Sequence, residues 1–276
     1  MKIWQRISET MDSIKSEFDK RSMKPFIQLW DWKEHGHTRL PENWLLKSNY
    51  SEMVIIKPND IAIYSSISDK MLVEAQSFFN DNIKSRNGNP LPQFIDRKSS
   101  TNEYYDYFEK IIVAIIMSYT SIETFANICI PENYQYYDEK KDITYGAKNI
   151  EKHFHIREKL KICLPEILGT PQVTSELWWN KLVELEDIRN EIIHSKPSKS
   201  EDRYSHFVSD RIFEIIPVNK DVFNYFGSYI KANKPELLDV FPFGFGFDEF
   251  SEKYISNSEL NQMMNVLNRT DNQKYV

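Results

Sequence analysis

The chain has 276 residues, of which 41 % are hydrophobic and 28 % charged, with 7 Gly and 12 Pro, a composition typical of a globular protein with a large core. Its formal net charge of −6 argues against a protein that coats nucleic acid through bulk positive charge, so any polyanionic partner needs a local basic patch. Two cysteines, Cys129 and Cys163, fit neither a disulfide framework nor a Cys-rich metal site. They favour buried thiols in a reducing compartment.

The first 100 residues are predicted to form an N-terminal extension. Within it, Met1–Lys20 carries apolar residues at helical spacing with acidic residues between them, which predicts an amphipathic helix. This segment lacks the continuous apolar run of a signal peptide. Gly, Pro, Asn and Ser concentrate in Ser85–Asn102, and this stretch is the predicted boundary with a helical domain at 101–235.

Two short β-branched runs in the extension, Met53–Ile56 and Ile61–Tyr64, predict strands. They are separated by Lys57-Pro58-Asn59-Asp60, whose Pro and Asn residues suit a tight turn, so we expect a short β-hairpin here. Elsewhere glycine is scarce and long segments have a period near 3.6 residues. The sequence therefore predicts a mainly α protein in which strands are a minor component.

Three amphipathic segments predict the main helices of the core. They are Tyr104–Ile130, Ala147–Leu164 and Ser175–Ser195. The third has Thr174 or Ser175 as its expected N-cap, and a later helix is predicted at Asn219–Lys231. In the C-terminal region 236–276, an aromatic loop and a further helix are expected to pack on the core. The longest uncharged run, Ile111–Ile122, has 12 residues, short of the roughly 20 needed to span a bilayer, so no membrane segment is expected.

The third segment contains an RNxxxH motif close to its end, formed by Arg189, Asn190 and His194. At about 100° per residue, Arg189 projects close to Leu182 and Leu185, in an apolar stripe where a cation needs an anionic or hydrogen-bonding partner. His194 projects about 140° from Arg189 but about 40° from Asn190, whose side chain is expected to hydrogen-bond the imidazole. A shared site therefore requires a distortion near the helix end, or two copies of the chain meeting at a twofold axis.

The motif, the preceding helix WWNKLVELEDI and the earlier helix SYTSIETFANICIP together resemble the HEPN superfamily of helical, dimer-forming domains. The resemblance covers residues 101–230, close to half of the chain. It implies a HEPN-like helical bundle and a metal-independent endoribonuclease, in which the RNA 2′-hydroxyl attacks its own phosphodiester. It further implies a homodimer with a composite site, acting in the cytoplasm as a toxin, abortive-infection or antiviral defence effector. Because a cell must restrain such an enzyme, a regulatory or antitoxin protein is an expected partner.

The resemblance also implies a role for each motif residue. His194 would be the proton shuttle near neutral pH, and Arg189 would bind the non-bridging phosphate oxygens in bidentate geometry. Asn190 would orient His194, and Lys196 would add phosphate affinity. Some HEPN proteins carry, two residues beyond the His, a Tyr that a nucleotidyltransferase partner modifies. Lys196 stands at that position here, which argues against such regulation.

The segment Lys140–Lys161 is locally basic, with seven Lys or Arg against three Asp or Glu. Its candidate RNA contacts are Lys152, His153, His155 and Arg157. The two histidines lack neighbouring Cys or Asp residues at zinc-site spacing. Neither a metal nor another cofactor is expected.

A non-catalytic interpretation is also open. The same helices would then dimerise and bind RNA, a nucleotide or a protein partner, while Arg189 forms a buried ion pair with Glu123 or Glu186. Glu123 and Asn127 form an i,i+4 polar pair on an apolar helix. This pair is expected to give structural support, either by tethering Arg189 or by capping a neighbouring loop.

Overall fold

A computed structural model describes residues 21, 26–29, 37–40, 43–86, 100–194 and 200–233 of the chain. The described part is mainly helical, as predicted, with short antiparallel hairpins in addition. The predicted N-terminal helix Met1–Lys20, the C-terminal region 236–276 and Lys196 lie outside the described residues.

Six short strands in these ranges pair as three separate antiparallel hairpins. The pairs are β1 (Phe26–Leu29) with β2 (His37–Leu40), β3 (Asn43–Lys47) with β4 (Glu52–Ile56), and β5 (Gln135–Asp138) with β6 (Ile143–Gly146). Lys47 lies opposite Glu52, and the two side chains form an ion pair of 3.1 Å. The hairpins do not join into a larger sheet, so the helices build the core of the described part.

Nine α-helices are present among the described residues. They are α1 (Asp60–Phe78), α2 (Ser100–Ile128), α3 (Ala147–His153), α4 (Ile156–Glu158), α5 (Leu164–Leu168), α6 (Leu177–Ile193), α7 (Ser200–Phe207), α8 (Arg211–Ile215) and α9 (Val218–Asn233). Short π-helical turns follow α1 at Phe79–Ile83 and α4 at Lys159–Cys163. α9 confirms the helix predicted at Asn219–Lys231. α2 is central, because α1, α6 and α9 all pack against it.

The long helix α2 confirms the segment predicted at Tyr104–Ile130. Its apolar residues recur on successive turns, and Ile111, Ile115 and Ile122 are fully buried. By length and composition, the stretch Thr101–Ile128 would suffice to cross a bilayer, contrary to the expectation from its uncharged run. Half of its most apolar window is nevertheless buried inside the protein, which favours its role as the core helix.

The predicted hairpin between Met53–Ile56 and Ile61–Tyr64 is wrong in its second strand. Met53–Ile56 is a strand, but it pairs with the preceding β3, and Ile61–Tyr64 lies in the first turns of α1. Asn59 caps this helix, since its side-chain oxygen accepts a hydrogen bond of 3.3 Å from the Ala62 N–H. Short apolar runs are ambiguous between helix and strand. Here the burial pattern continues at helical spacing as far as Ala75, so the helix prevails.

The packed core begins earlier in the chain than the boundary predicted near residue 100. α1 packs extensively along α2, and Ile61, Leu72 and Phe79 are buried in the same core. The sequence assigned residues 60–86 to the extension because a stretch rich in Gly, Pro and Asn follows them. A break in the periodicity of a chain does not imply a break in its packing, and the core therefore includes α1 and Phe79.

The single helix predicted at Ala147–Leu164 is divided in the structure. Phe154 and His155, both with extended backbone, separate α3 from α4. The ring of Phe154 packs edge-on against Tyr136 and Tyr145 of the β5–β6 hairpin, with ring centroids 5.7 and 5.1 Å away. This tertiary contact accompanies the break and is not visible in the local periodicity.

The start of α6 also differs from the prediction. Thr174 and Ser175 lie in a short 3₁₀ turn rather than at the helix N-cap. The N-cap is Glu176, whose side chain makes no capping hydrogen bond, and the helix begins at Leu177. Ser175 instead donates its hydroxyl to the Gln172 carbonyl oxygen at 3.3 Å. The Ser175 hydroxyl is thus used within the preceding turn, and the helix begins two residues after Ser175.

A buried polar cluster ties α9 to α1 and α2. The Asn219 side-chain amide donates to Ser65 Oγ at 3.0 Å and to Ser121 Oγ at 3.1 Å. Ser121 Oγ donates to the Ser118 carbonyl oxygen, and Ser118 Oγ donates to that of Ile216. Asn219 is only 1 % exposed, so the cluster is shielded from water. Each buried hydroxyl therefore depends on its protein partners.

Replacing Asn219 with alanine is expected to lower the free energy of unfolding by about 1–3 kcal/mol, because two buried hydroxyls lose their donor. Urea denaturation monitored by circular dichroism measures this change. The control is Asn233→Ala at the exposed end of α9, whose amide donates to the Tyr229 carbonyl oxygen and whose loss is expected to cost about 0.5 kcal/mol or less. Equal losses in the two variants would show that the buried cluster makes no special contribution.

Candidate functional site

The three residues of the RNxxxH motif lie at the C-terminal end of α6. Arg189 and Asn190 are in its last two turns and are half-buried, whereas His194 follows the last helical residue and is exposed. The His194 N–H still donates to the Asn190 carbonyl oxygen at 2.9 Å. Its φ of −103° and ψ of 39° depart from helical values, so its side chain leaves the position of a regular helix. The chain is thus distorted between the arginine and the imidazole.

The guanidinium of Arg189 lies over the ring of Tyr119 on α2, with 4.8 Å from its central carbon to the ring centroid. Its Nη1 donates to Asn190 Oδ1 at 3.0 Å. Among the described residues, no carboxylate forms an ion pair with Arg189. The ion pair with Glu123 or Glu186 that belongs to the non-catalytic interpretation is therefore not formed. Stacking on an aromatic ring stabilises the cation without neutralising it.

Glu186, one turn before Arg189 on α6, is occupied by other groups. Its Oε2 pairs with the Arg157 guanidinium, and its Oε1 accepts a hydrogen bond of 3.1 Å from the Tyr119 hydroxyl. Arg157 also pairs with Asp187 at 2.5 Å. The Glu186 side chain is only 7 % exposed, so its charge requires these partners. Both of its oxygens are satisfied without Arg189.

Tyr119 remains a neutral hydrogen-bond donor at physiological pH. Burial raises the pKa of its hydroxyl well above the usual range, and the negative charges of Glu186 and Glu123 and the hydrogen bond to Glu186 raise it further. Arg189 opposes this shift. The phenol therefore serves two neighbours at once, because its hydroxyl holds Glu186 and its ring faces Arg189.

The side chain of Asn190 does not play the role predicted from helix geometry. We expected it to hydrogen-bond the imidazole of His194, but its oxygen accepts from Arg189. The imidazole itself makes no hydrogen bond to any other described residue. His194 lies beyond the last helical residue, and the adjacent guanidinium is the better donor to the Asn190 oxygen because it is charged. Asn190 thus orients the arginine.

Asn127 supports a different cation from the one predicted. Its Oδ1 accepts a hydrogen bond of 2.8 Å from Lys159 Nζ, which also donates to the Glu151 carbonyl oxygen at 2.9 Å. Lys159 is 1 % exposed, and burial lowers the pKa of its ammonium group. The half-buried Glu123 lies near enough for its charge to favour the ammonium form. The i,i+4 pair therefore stabilises the junction of α2 with the π-helical turn and does not tether Arg189.

The basic segment presents less positive charge at the surface than its sequence suggests. Lys159 is buried, Arg157 is bound by two carboxylates, and Lys141 forms an ion pair of 3.2 Å with Asp138. The predicted RNA contact Arg157 has its guanidinium paired with these carboxylates within the fold. Lys152, His153 and His155 are exposed and remain candidates.

Both cysteines are buried free thiols, as predicted. Burial raises the pKa of Cys163 to about 11 and raises that of Cys129 further. Thiols of this kind are protonated and unreactive at neutral pH. Within the described ranges, no cluster of three or more His, Cys, Asp or Glu side chains is arranged to hold a metal ion.

Sequence reasoning missed the partners that surround Arg189. No role at the site was assigned to Tyr119 from the sequence, and Arg157 was treated only as one basic residue among several. The available signal was the acidic residue at i−3 from Arg189, which pointed to Glu186 as a potential competitor for the cation. The sequence could not indicate that Glu186 would pair with Arg157 rather than with Arg189.

Comparisons of the chain find no matching family model, no similar curated protein and no similar solved structure. The site is therefore interpreted from its own residues.

Proposed function

We propose that this chain is a metal-independent endoribonuclease of the HEPN type, which acts in the cytoplasm as a toxin or antiviral defence effector. One observation carries the proposal. Arg189 is a half-buried guanidinium without a carboxylate partner among the described residues, and the exposed imidazole of His194 follows at the end of the same helix. Phosphodiester cleavage without a metal needs a group that moves protons and a cation beside the phosphate, and an imidazole and a guanidinium can supply these.

The chemistry assigned to these groups is internal attack by the RNA. The imidazole of His194 removes the proton of a 2′-hydroxyl while its oxygen forms a bond to the adjacent phosphorus. The bond from phosphorus to the 5′-oxygen breaks, and that oxygen takes up a proton from an imidazolium. Arg189 donates to the non-bridging oxygens, whose negative charge increases in the transition state. The products are a 2′,3′-cyclic phosphate and a 5′-hydroxyl.

A homodimer is part of the proposal because, within one chain, Arg189 and His194 lie in different surroundings. Arg189 is held against Tyr119, whereas His194 is exposed beyond the helix end. A second copy related by a twofold axis would add its own arginine and imidazole to a shared groove. The exposed Lys152, His153 and His155, together with Lys196, are proposed to contact the RNA strand.

The proposal is tested with the purified full chain and total cellular RNA in the presence of EDTA. The expected result is cleavage that yields 2′,3′-cyclic phosphate and 5′-hydroxyl ends, with the protein eluting as a dimer in size-exclusion chromatography. Mass spectrometry of the fragment ends distinguishes these products from 3′-hydroxyl ends. A strict requirement for Mg²⁺ would refute the mechanism.

One observation favours a second candidate, a non-catalytic module that dimerises and binds RNA, a nucleotide or a protein. The imidazole of His194 makes no hydrogen bond to the other described residues, so nothing in that part of the fold fixes its tautomer. In this case, RNA binding without cleavage is expected, with Arg189 still supplying the anion contact. The His194 variant discussed below separates the two candidates.

A further inference from the structure

The pairing of charges around α6 differs from the one that helix geometry favours. Glu186 and Arg189 are three positions apart, and carboxylate and guanidinium groups at this spacing commonly pair along a helix. Both groups also lie close to Tyr119, one at its hydroxyl and the other over its ring. An ion pair between them would be the simplest local arrangement. It is absent, and Glu186 binds Arg157 instead.

Arg157 is well suited to hold this carboxylate. Its guanidinium pairs with Glu186 and Asp187, and its Nη2 donates to the Val183 carbonyl oxygen at 3.2 Å. These three acceptors lie on consecutive turns of α6, and the planar fork of an arginine can meet several acceptors at once. The Tyr119 hydroxyl satisfies the remaining oxygen of Glu186. Glu186 therefore contacts Arg157 and Tyr119 with its two oxygens and forms no ion pair with Arg189 in this arrangement.

We propose that Arg157 is a positioning residue for an oxyanion site at Arg189. By binding Glu186, it keeps the Arg189 guanidinium, which lies on the Tyr119 ring, available for a phosphate group. The ligand of this site is a phosphate oxyanion. The inference rests on the proposed function only where that phosphate is taken to be part of an RNA phosphodiester. It gives Arg157 a role at the site without direct contact with RNA.

Loss of Arg157 has a specific expected consequence. Glu186 is almost fully buried and would lose its charged partner, and the Arg189 guanidinium lies over the ring of the tyrosine whose hydroxyl binds Glu186. The carboxylate would then compete directly with phosphate for Arg189. Removing the charge of Glu186 in the same variant would end this competition and restore phosphate binding, although Arg157 is still missing.

The experiment measures the affinity of the full chain for inorganic phosphate by isothermal titration calorimetry, in chloride buffer of matched ionic strength. The variants are Arg157→Gln, Glu186→Gln, the double variant and Arg189→Gln. We expect Arg157→Gln to weaken binding about tenfold or more, as for loss of a charge-assisted hydrogen bond. The double variant and Glu186→Gln are expected to bind within about threefold of wild type, and Arg189→Gln to lose the site.

The matched control is Arg211→Gln on α8. Arg211 is also an arginine held by two carboxylates, Glu184 and Glu214, but it has no contact with Glu186 or Arg189. Its substitution is expected to leave phosphate affinity unchanged. All titrations are made well below the melting temperature and report the number of sites per chain, so that unfolding cannot be mistaken for weak binding.

Stability is addressed by a conservative variant. If Arg157→Gln does not fold, Arg157→Lys retains a cation for Glu186 and is expected to keep phosphate affinity, while the double variant lacks the unpaired carboxylate and is expected to fold. The inference is overturned if the wild type does not bind phosphate, if Arg189→Gln binds it normally, or if the double variant folds without regaining affinity. Phosphate binding in the expected pattern by a protein that cuts no RNA would leave this inference intact and refute the ribonuclease.

Discussion

Replacing His194 with alanine is expected to slow RNA cleavage by about 10²- to 10⁴-fold, because the variant lacks the group that moves the proton between the attacking and leaving oxygens. The fold is expected to be unaffected, since the imidazole is exposed and bonds to no other described residue. The measurement is the single-turnover rate of RNA cleavage in EDTA, with dimer formation and the melting temperature recorded for each protein.

The control for this variant is His206→Ala. His206 is an exposed histidine in the last turn of α7, outside the motif, and its loss is expected to leave the rate unchanged. In cells, expression of the wild type and of His206→Ala should arrest growth with degraded RNA, whereas His194→Ala should not. If a folded His194→Ala protein cleaves RNA and arrests growth as the wild type does, the imidazole has no role in the chemistry and the binding module is the better interpretation.

The largest expected effect on stability is that of Phe125→Ala in α2. Phe125 is fully buried, and its ring packs against Phe223 and Phe226 of α9 with centroids 5.1 and 5.7 Å away. Truncation removes buried apolar surface and leaves a cavity between the two helices, so we expect the free energy of unfolding to fall by about 3–5 kcal/mol. Urea denaturation measures this loss. The slope of the unfolding free energy against urea concentration is expected to stay unchanged.

Tyr105→Ala is the matched control for the core substitution. Tyr105 is an aromatic residue of the same helix but is 59 % exposed, so its truncation is expected to change stability by about 0.5 kcal/mol. A loss for Phe125→Ala no greater than that for Tyr105→Ala would mean that α9 does not pack on α2 as described. The same result would remove the basis for including α9 in the core.

The helices that the sequence predicted best are those with a long apolar repeat. The segments around α2, α6 and α9 each bury one face over several turns, so the period near 3.6 residues is a property of the segment itself. The two cysteines were placed in the core for the same reason, since each lies within an apolar stretch. In these cases, local pattern and tertiary packing select the same structure.

The errors fall where a short segment allows two structures. Ile61–Tyr64 has the composition of a strand, yet it belongs to α1 because its neighbours continue a helical pattern and Asn59 caps the helix. Ala147–Leu164 has the period of one helix, yet it is divided where Phe154 packs on the β5–β6 hairpin. Both outcomes depend on contacts beyond the segment.

The site shows the same division between local pattern and tertiary contact. The motif indicated that Arg189 and His194 lie near the end of one helix, and the structure confirms this position. The contacts of the charged groups were not evident from the sequence. Arg157, a candidate RNA contact, binds Glu186 and Asp187, and Asn127, predicted either to tether Arg189 or to cap a neighbouring loop, holds Lys159. Each of these pairs joins residues from different helices or turns.

The sequence by itself determined that this protein is mainly helical, that the motif lies at the end of α6 and that both thiols are buried. Only the tertiary structure decided which cation meets Glu186, and that the Arg189 guanidinium lies on Tyr119 without a carboxylate partner among the described residues. The physical reason is that periodicity is repeated in every turn and can be read locally. A buried charge instead pairs with whichever opposite charge packing brings closest, because Coulomb energy depends on distance and burial rather than on separation along the chain.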